Sequence, residues 1–395
     1  MNMNEGTKKK VLFVATVDYH FKSFHLPYLK WFKEQGWEVH IAANGNLELP
    51  FVSKKYNIPI QRSPVNVKNI GVFKELKAII NENNYNIIHC HTPMGGVLGR
   101  LAARQARKNG TKVIYTAHGF HFCKGSPLVN WVLYYPIERI LASNTDCLIT
   151  INSEDNELAR RHHFKAGFID HVHGVGVDLD KYKPVDSIRR NVLRRVNEYN
   201  PNHFIMFYAA EFNKNKNQKL LIQALAKIKK DIPNARLLLA GEGPLLQECK
   251  DLSLELGVFG MVQFLGFRND IELLLKMSDI AVASSLREGL PVNVMEAMAC
   301  GLPVVAIENR GHKELVYNHE NGWIVDQNDI ETFSVKLKEL GTNEYIRNKL
   351  GKASRAIMEN KYGVESVLDQ LIGIYSRYMQ EDIDETQNQY NRAYL

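Results

Sequence analysis

Strand-length runs of unbroken Val, Ile, Leu and Phe recur along this chain and constrain its fold more than any other feature. "VLFVATV", "EVHIAA", "NIIHCH", "KVIYTAHG" and "DCLITIN" occupy the first half; "HFIMFYAA", "ARLLLAGEG", "MVQFLGF", "DIAVASS" and "LPVVAIE" occupy the second. A strand wetted on one face alternates apolar with polar residues. A continuous apolar run needs cover on both faces, which means a parallel sheet between layers of helices. Longer amphipathic stretches between the runs supply those helices. With 395 residues the chain exceeds what one core usually supports, and the pattern breaks near "GVGVDLDKYKPVDS", where turn formers and Pro184 intervene. The expectation is an α/β protein of two doubly wound, Rossmann-like domains, residues 1–185 and 186–364, facing each other across a deep cleft at the carboxyl ends of their strands. A C-terminal helix at about 365–380 is expected to pack back on the first domain, with a polar tail, 380–395, that frays.

Charge separates the halves. Residues 1–185 hold 24 Lys and Arg against 15 Asp and Glu, a net +9, and the remainder holds 26 against 28, a net −2. A basic first half points to an anionic partner such as a membrane face or a lipid phosphate. No aromatic-basic RNA motif, zinc-finger spacing or basic heptad occurs, so nucleic acid is not expected. No apolar run is long enough to span a bilayer. The basic start leads into a strand-length run without a small-residue cleavage site, so it is read as a first strand and not a signal peptide. Five cysteines without C-x-x-C spacing read as reduced, buried thiols.

Within "REGLPVNVMEAMACGLPVVA", Glu288 precedes a Gly-Leu-Pro turn and Glu296 follows eight residues later in an apolar run. Pro291 suits the first position of a helix. A helix start offers free N–H groups and a partial positive charge, a ready site for phosphate or a hydroxyl-rich ligand. At about 100° per residue Glu296 falls on the inward face with Val292 and Ala299. A carboxylate there requires partners: a buried ion pair or backbone cap, or two hydroxyl hydrogens of a sugar ring.

The E-x7-E around "EGLP", followed by "EAMACGLPVVA", resembles the retaining, GT-B-fold glycosyltransferases of family 4. The order of motifs is similar to that of EpsD-type bacterial exopolysaccharide glycosyltransferases. It runs from "ATVDYHFKSFHLPYLKWFKEQGWEVHIAANG" through "HCHTPMGG", "YTAHGFHF" and "NKNQ" to "RGHKEL". The resemblance implies that Glu288 contacts donor-sugar hydroxyls and that the backbone of Gly289, Leu290 and Pro291 lines the sugar and diphosphate. It implies that Glu296 accepts from both ribose hydroxyls, that Lys216 stabilises the diphosphate, and that His118 lies beside the donor sugar. His118, Lys216 and Glu288 are thus the catalytic candidates. Backbone near Phe267 would meet the base, with Asn213 and Gly243 also on the donor side. The family usually carries an arginine where Glu211 stands, so Arg287 or Arg310 would have to supply the second cation. The first loop lacks the family's Gly-Gly, leaving His25 as its recognisable member.

Other motifs carry two readings. Asp178-Leu179-Asp180 looks like a D-x-D metal signature but sits in the expected linker; no metal and no cofactor is expected. "GEGP" at 241–244 fits a phosphate loop or tight strand-to-helix packing. His89 and His91 alternate at a strand end, one expected toward the cleft and one toward the core. "TPMGG", with Gly95 and Gly96, fits an acceptor-side loop shared with His25 and His91. His162, His163, His171 and His173 read as structural. Arg100, Arg104 and Arg107 share a helical face, either simply solvated or facing an anionic surface, and Trp131, Tyr134 and Tyr135 favour a water–lipid boundary or, for most of that segment, core packing.

The implied activity is transfer of a hexose or N-acetylhexosamine, GlcNAc as first choice, from a UDP-sugar to a glycan on a polyprenyl diphosphate. The product would serve bacterial exopolysaccharide or capsule, and the enzyme would be cytoplasmic and docked on the inner face of the membrane. A nucleotide-sugar 2-epimerase of the same fold and a non-catalytic assembly subunit are the alternatives.

Overall fold

The computed structural model describes residues 8–393, with side chains described as far as Met379. The chain divides into two compact units, one comprising residues up to Gly176 together with those from Glu365 onward, the other Val177–Val364.

The first unit holds seven strands: β1 (Lys10–Val17), β2 (Glu38–Asn44), β3 (Lys54–Asn57), β4 (Ile87–His91), β5 (Lys112–Ala117), β6 (Cys147–Thr150) and β7 (Phe168–His171). They pair in the order β3-β2-β1-β4-β5-β6-β7, parallel throughout. Winding runs outward from β1 through β2 and β3, then returns to lay β4 on the other side of β1. The carboxyl ends of β1 and β4 therefore mark the reversal, where doubly wound sheets open a crevice. Val11, Leu12, Phe13 and Val14 are all fully buried, as a run covered on both faces requires.

Pro93 opens the helix Pro93–Ala102 directly after β4. A Cβ on Gly95 would stand 2.9 Å from Ala15 Cα, and one on Gly96 would stand 2.3 Å from the Tyr115 ring. Gly95 and Gly96 are thus buried packing residues in the first turn of a helix and not part of a loop.

The helix Val364–Ala393 returns to this unit, with Tyr375 buried against Trp31 and Phe32 at ring separations of 5.8 and 4.8 Å. The segment after Met379 that was expected to fray is helical as far as Ala393; residues 394–395 lie outside the described residues.

The second unit holds β8 (Phe204–Ala209), β9 (Ala235–Ala240), β10 (Val262–Phe264), β11 (Ile280–Ala283), β12 (Val304–Ile307) and β13 (Gly322–Val325), parallel in the order β10-β9-β8-β11-β12-β13. Here the reversal lies between β8 and β11. The division between units falls at Val177 and not at 185, because Val177 exchanges backbone hydrogen bonds with Tyr362 and Val364 (2.9 and 3.0 Å) and Tyr182 is buried.

Candidate active site

In the second unit, loops 210–217 and 284–291 leave the carboxyl ends of β8 and β11. They are stitched together: Leu286 N–H donates to Asn215 O at 2.7 Å, Asn215 Nδ2 to Arg287 O at 3.0 Å, and Ser284 Oγ to Lys216 O at 2.7 Å. Across this seam Lys216 Nζ pairs with Glu288 Oε1 at 2.5 Å, both side chains mostly buried. Arg310 Nε donates to Glu288 O at 3.0 Å from the start of the helix Arg310–Leu315. That helix is capped by Asn309, whose Nδ2 also donates to Ser285 O at 2.6 Å. A Cβ on Gly311 would lie 2.8 Å from Glu288 Cβ, so the glycine lets the helix press on the Glu-Gly-Leu-Pro turn. Behind it His312 is buried, its Nδ1 2.6 Å from Ile307 O, and burial lowers its pKa to about 4.

The helix Val292–Ala299 starts straight after this turn; its N-cap position, Pro291, supplies no side-chain cap, and Asn293 Oδ1 accepts from the Val294 N–H at 3.0 Å. Pro291 stands at the position before the helix and not at its first residue. Asn293 Nδ2 donates to Ala209 O at 2.8 Å, tying the helix start to the end of β8. The remaining N–H groups and the dipole face the same turn as Lys216 and Glu288, an arrangement suited to a phosphorylated, hydroxyl-bearing ligand. One turn on, burial raises the pKa of Glu296, and the Tyr182 hydroxyl donates a hydrogen bond to it. The charge in the apolar run is therefore favoured by Tyr182 and by the nearby Lys181 ammonium, both supplied by the stretch after Val177.

Asn213 closes the first loop, its Oδ1 accepting from Lys216 N–H and its Nδ2 donating to Glu211 Oε2, each at 3.0 Å. Gly243 has φ +151°, and a Cβ there would stand 2.5 Å from Phe212 O. Close packing of "GEGP" on the 210–213 loop thus accounts for its glycine. Phe267 is exposed.

In the first unit, the reversal gathers imidazoles. His25 ends the helix Tyr19–Phe24, His91 ends β4, and His118 follows β5. His25 Nε2 lies 3.2 Å from His91 Nδ1, which lies 3.3 Å from His118 Nε2. His20 joins them with ring centroids 4.7 Å from His25 and 4.8 Å from His118. His89 and His91 are both buried on one face with centroids 4.0 Å apart, since residues two apart on a strand point the same way. The expected division between cleft and core does not occur. His89 is held by the Tyr375 hydroxyl (2.7 Å) and Thr116 Oγ1 (2.8 Å). Burial lowers the pKa of His89 to about 3 and of His118 to about 4, and drives His20, His25 and His91 well below the ordinary value. All five are neutral at pH 7. Thr92, between β4 and its helix, takes φ +62°, an unusual conformation for threonine held by Thr16, whose N–H donates to Thr92 Oγ1 at 3.0 Å. Beside His118 opens a cavity of about 400 Å³, lined also by Met94, Phe120, Phe122, Tyr134 and Glu138.

The basic helical face expected from Arg100, Arg104 and Arg107 does not form. Arg100 is 1% exposed, donates to Glu138 Oε2 at 2.8 Å and lies 3.8 Å over the Tyr115 ring. The helix ends at Ala102, and a second short helix, Arg104–Lys108, turns Arg107 toward Asp146 at 3.0 Å. Only Arg104 of the three is exposed.

Two family models match the two halves: Glycosyl transferase 4-like over residues 10–152 and Glycosyl transferases group 1 over 189–357. The chain is 48% identical over 377 residues to EpsD of Bacillus subtilis, a protein assigned as a glycosyltransferase, covering 95% of this chain and 99% of that one. The chain belongs to the family 4 glycosyltransferases, of EpsD type. A UDP-Gal:alpha-D-GlcNAc-diphosphoundecaprenol alpha-1,3-galactosyltransferase of Escherichia coli is 28% identical over 321 residues, 79% of this chain and 82% of that one. Among solved structures, Anabaena HepE in complex with UDP is similar in fold, with TM-score 0.77 at 19% identity over 94% of this chain and 100% of that one. The fold is GT-B.

In this family 4 glycosyltransferase the departure at Glu211 leaves an exposed carboxylate bonded to Asn213. Of the two arginines named as replacements, Arg310 reaches the Glu288 loop from outside it, while Arg287, within that loop, has an exposed side chain and offers its carbonyl to Asn215 of the 210–217 loop. Sequence reasoning did not single out Tyr182, Asn309 or His20. Asn309 was readable as a cap before "RGHKEL"; Tyr182 and His20 lie in stretches with no periodic signal.

Proposed function

We propose that this glycosyltransferase moves a hexose or N-acetylhexosamine from a UDP-sugar to a glycan on a lipid diphosphate, in exopolysaccharide or capsule assembly. The observation that carries the reading is the seam of the second unit. There a lysine, the carboxylate it pairs with and a helix start converge at the reversal of a doubly wound sheet. The Escherichia coli relative, named for a UDP-Gal donor and a diphosphoundecaprenol-linked acceptor, and Anabaena HepE, solved with UDP-glucose, support the substrate class.

Lys216 turns from Glu288 to the diphosphate when the donor arrives, and Glu288 takes sugar hydroxyls. The acceptor oxygen bonds to the anomeric carbon on the face that UDP leaves. The carbon–oxygen bond to the diphosphate breaks with its electron pair going to UDP, whose phosphate takes the acceptor's proton. Configuration is retained. Lys216 and the helix start stabilise the departing charge. Glu296 holds the ribose diol.

No helix among the described residues is long and apolar enough to cross a membrane. The helix Leu128–Ala142 exposes Leu128 and Val132 by 82% and 72%, along with Val129 and Leu133. This aliphatic strip, with Arg104 and Lys108 elsewhere on the same unit, is the surface we assign to peripheral docking on the bilayer that holds the acceptor. A panel of UDP-sugars, incubated alone and with a membrane extract carrying lipid-linked glycan, tests the reading. UDP release that requires the extract, with sugar added to the lipid-linked product, supports it. An epimerised free sugar without acceptor, or no turnover of any donor, overturns it.

A further inference from the structure

We propose that His20, His25, His91 and His118 form a site for one late first-row divalent ion of the zinc class. One ring nitrogen from each lies within 4.8 Å of the other three. Zinc–imidazole bonds of about 2.1 Å place tetrahedral ligand atoms about 3.4 Å apart. The His25–His91 and His91–His118 contacts, at 3.2 and 3.3 Å, already have that spacing. Hydrogen bonding does not account for the cluster. Both contacts converge on His91 Nδ1, which has one proton or one in-plane lone pair and so serves only one of them well. His20 Nε2 is buried without any hydrogen-bond partner, a costly state for protein alone. An ion accepts converging lone pairs from neutral rings, the protonation state that metal binding requires.

The frame is built for fixed ligands. His91 and His118 stand at the ends of two adjacent, paired strands, β4 and β5. Phe13 stacks on His91 at 6.1 Å and 9°, and Phe21 packs edge-on to His25 at 5.6 Å. His25 Nδ1 lies 3.4 Å from His20 O, a backbone partner of the kind that orients a ligating imidazole. His20 and His118 are only partly buried, which leaves an open side for entry. Four nitrogens without a carboxylate suit zinc, cobalt, nickel or copper and suit magnesium and calcium poorly. Such an ion would fasten the helix Tyr19–Phe24 to the ends of β4 and β5. It belongs to a different unit from Lys216 and Glu288, it gives His118, expected from the family resemblance beside the donor sugar, to the ion instead, and it departs from the expectation that this chain holds no metal.

The test uses the untagged, full-length, chelator-stripped chain titrated with Co²⁺ and Zn²⁺. Calorimetry gives the stoichiometry, and the visible cobalt spectrum reports nitrogen coordination. One ion per chain is expected, with zinc raising the thermal midpoint. His20→Gln, and separately His118→Gln, should weaken binding by more than the ~10–100-fold that loss of an outer-shell partner costs, with circular dichroism unchanged. His319→Gln, an exposed histidine of the second unit, should bind as the natural chain does. Absence of saturable binding, or equal binding by the natural chain and both cluster variants, overturns the proposal.

Discussion

The two units solve one topological problem with opposite chemistry. Each is a doubly wound parallel sheet with its functional residues at the reversal. In the second unit that place holds an ion pair, Lys216–Glu288, and the start of the helix Val292–Ala299. In the first it holds neutral imidazoles packed on Phe13 and Phe21, with no ion pair among them. The difference teaches that the sheet order fixes where a ligand can sit, while the residues at the strand ends decide what kind of ligand it is.

Breaking buried charge in the first unit should have the largest effect. Arg100→Met leaves Glu138 buried beside Tyr115 without its cation and should cost about 3–5 kcal/mol in urea unfolding. A loss below 1 kcal/mol would mean that the pair contributes little to that unit's core.

Acid separates the units next. An imidazole kept neutral by burial binds its proton near pH 6.5 in the unfolded chain but, for His312, only near pH 4 in the folded one. Between those values the unfolded state holds more protons, so stability is full above about pH 6.5 and falls as pH drops. The loss is about 1.4 kcal/mol per pH unit, roughly 3 kcal/mol in all for that group. His89 and His118 carry the same sign in the first unit, in company with His20, His25 and His91, all shifted the same way. Tryptophan fluorescence can follow both units, since Trp31, Trp37 and Trp131 lie in the first and Trp323 in the second. The first unit should unfold at the higher pH as acid is added; loss of the Trp323 signal first would reverse the comparison.

Glu296→Gln should weaken UDP binding by about 1–3 kcal/mol without changing the unfolding midpoint, since a charged hydrogen bond to the ribose is exchanged for a neutral one. Calorimetry with unchanged affinity would leave Glu296 with Tyr182 as its only role. Arg104→Gln is the smallest change. It should leave stability within about 0.5 kcal/mol and weaken sedimentation with anionic vesicles by about 1 kcal/mol, an effect that fades in high salt. Equal sedimentation of variant and parent at low salt would remove Arg104 from the docking surface.

What the sequence revealed follows the same division. Central strands such as "VLFVATV" announce themselves because burial on both faces demands an unbroken apolar run. "KKYN" (β3) and "FIDH" (β7) close the sheet edges, hold no fully buried residue, and carry no such run. The second unit's seam was legible because "EGLP" and Glu296 belong to a contiguous, chemically unusual pattern, while Lys216, 72 positions earlier, came only with the family resemblance. The first unit's site was only half legible. His25, His91 and His118 were visible, but His20 joins them from the short helix Tyr19–Phe24, and side-chain proximity across three elements leaves no linear trace. Arg100 was misread for a related reason. Helical spacing places residues on a face, yet the break at Ala103 and the partner Glu138, 38 positions away, decide what that face meets.

The central claim, that Lys216 meets the donor's diphosphate opposite Glu288, is tested most directly by single-turnover sugar transfer with Lys216→Met under saturating UDP-sugar. The account predicts a fall in rate of about 10²–10³-fold, the cost of removing one preorganised electrostatic group, with an unchanged thermal midpoint. Transfer at the parent rate by a folded Lys216→Met chain would contradict it.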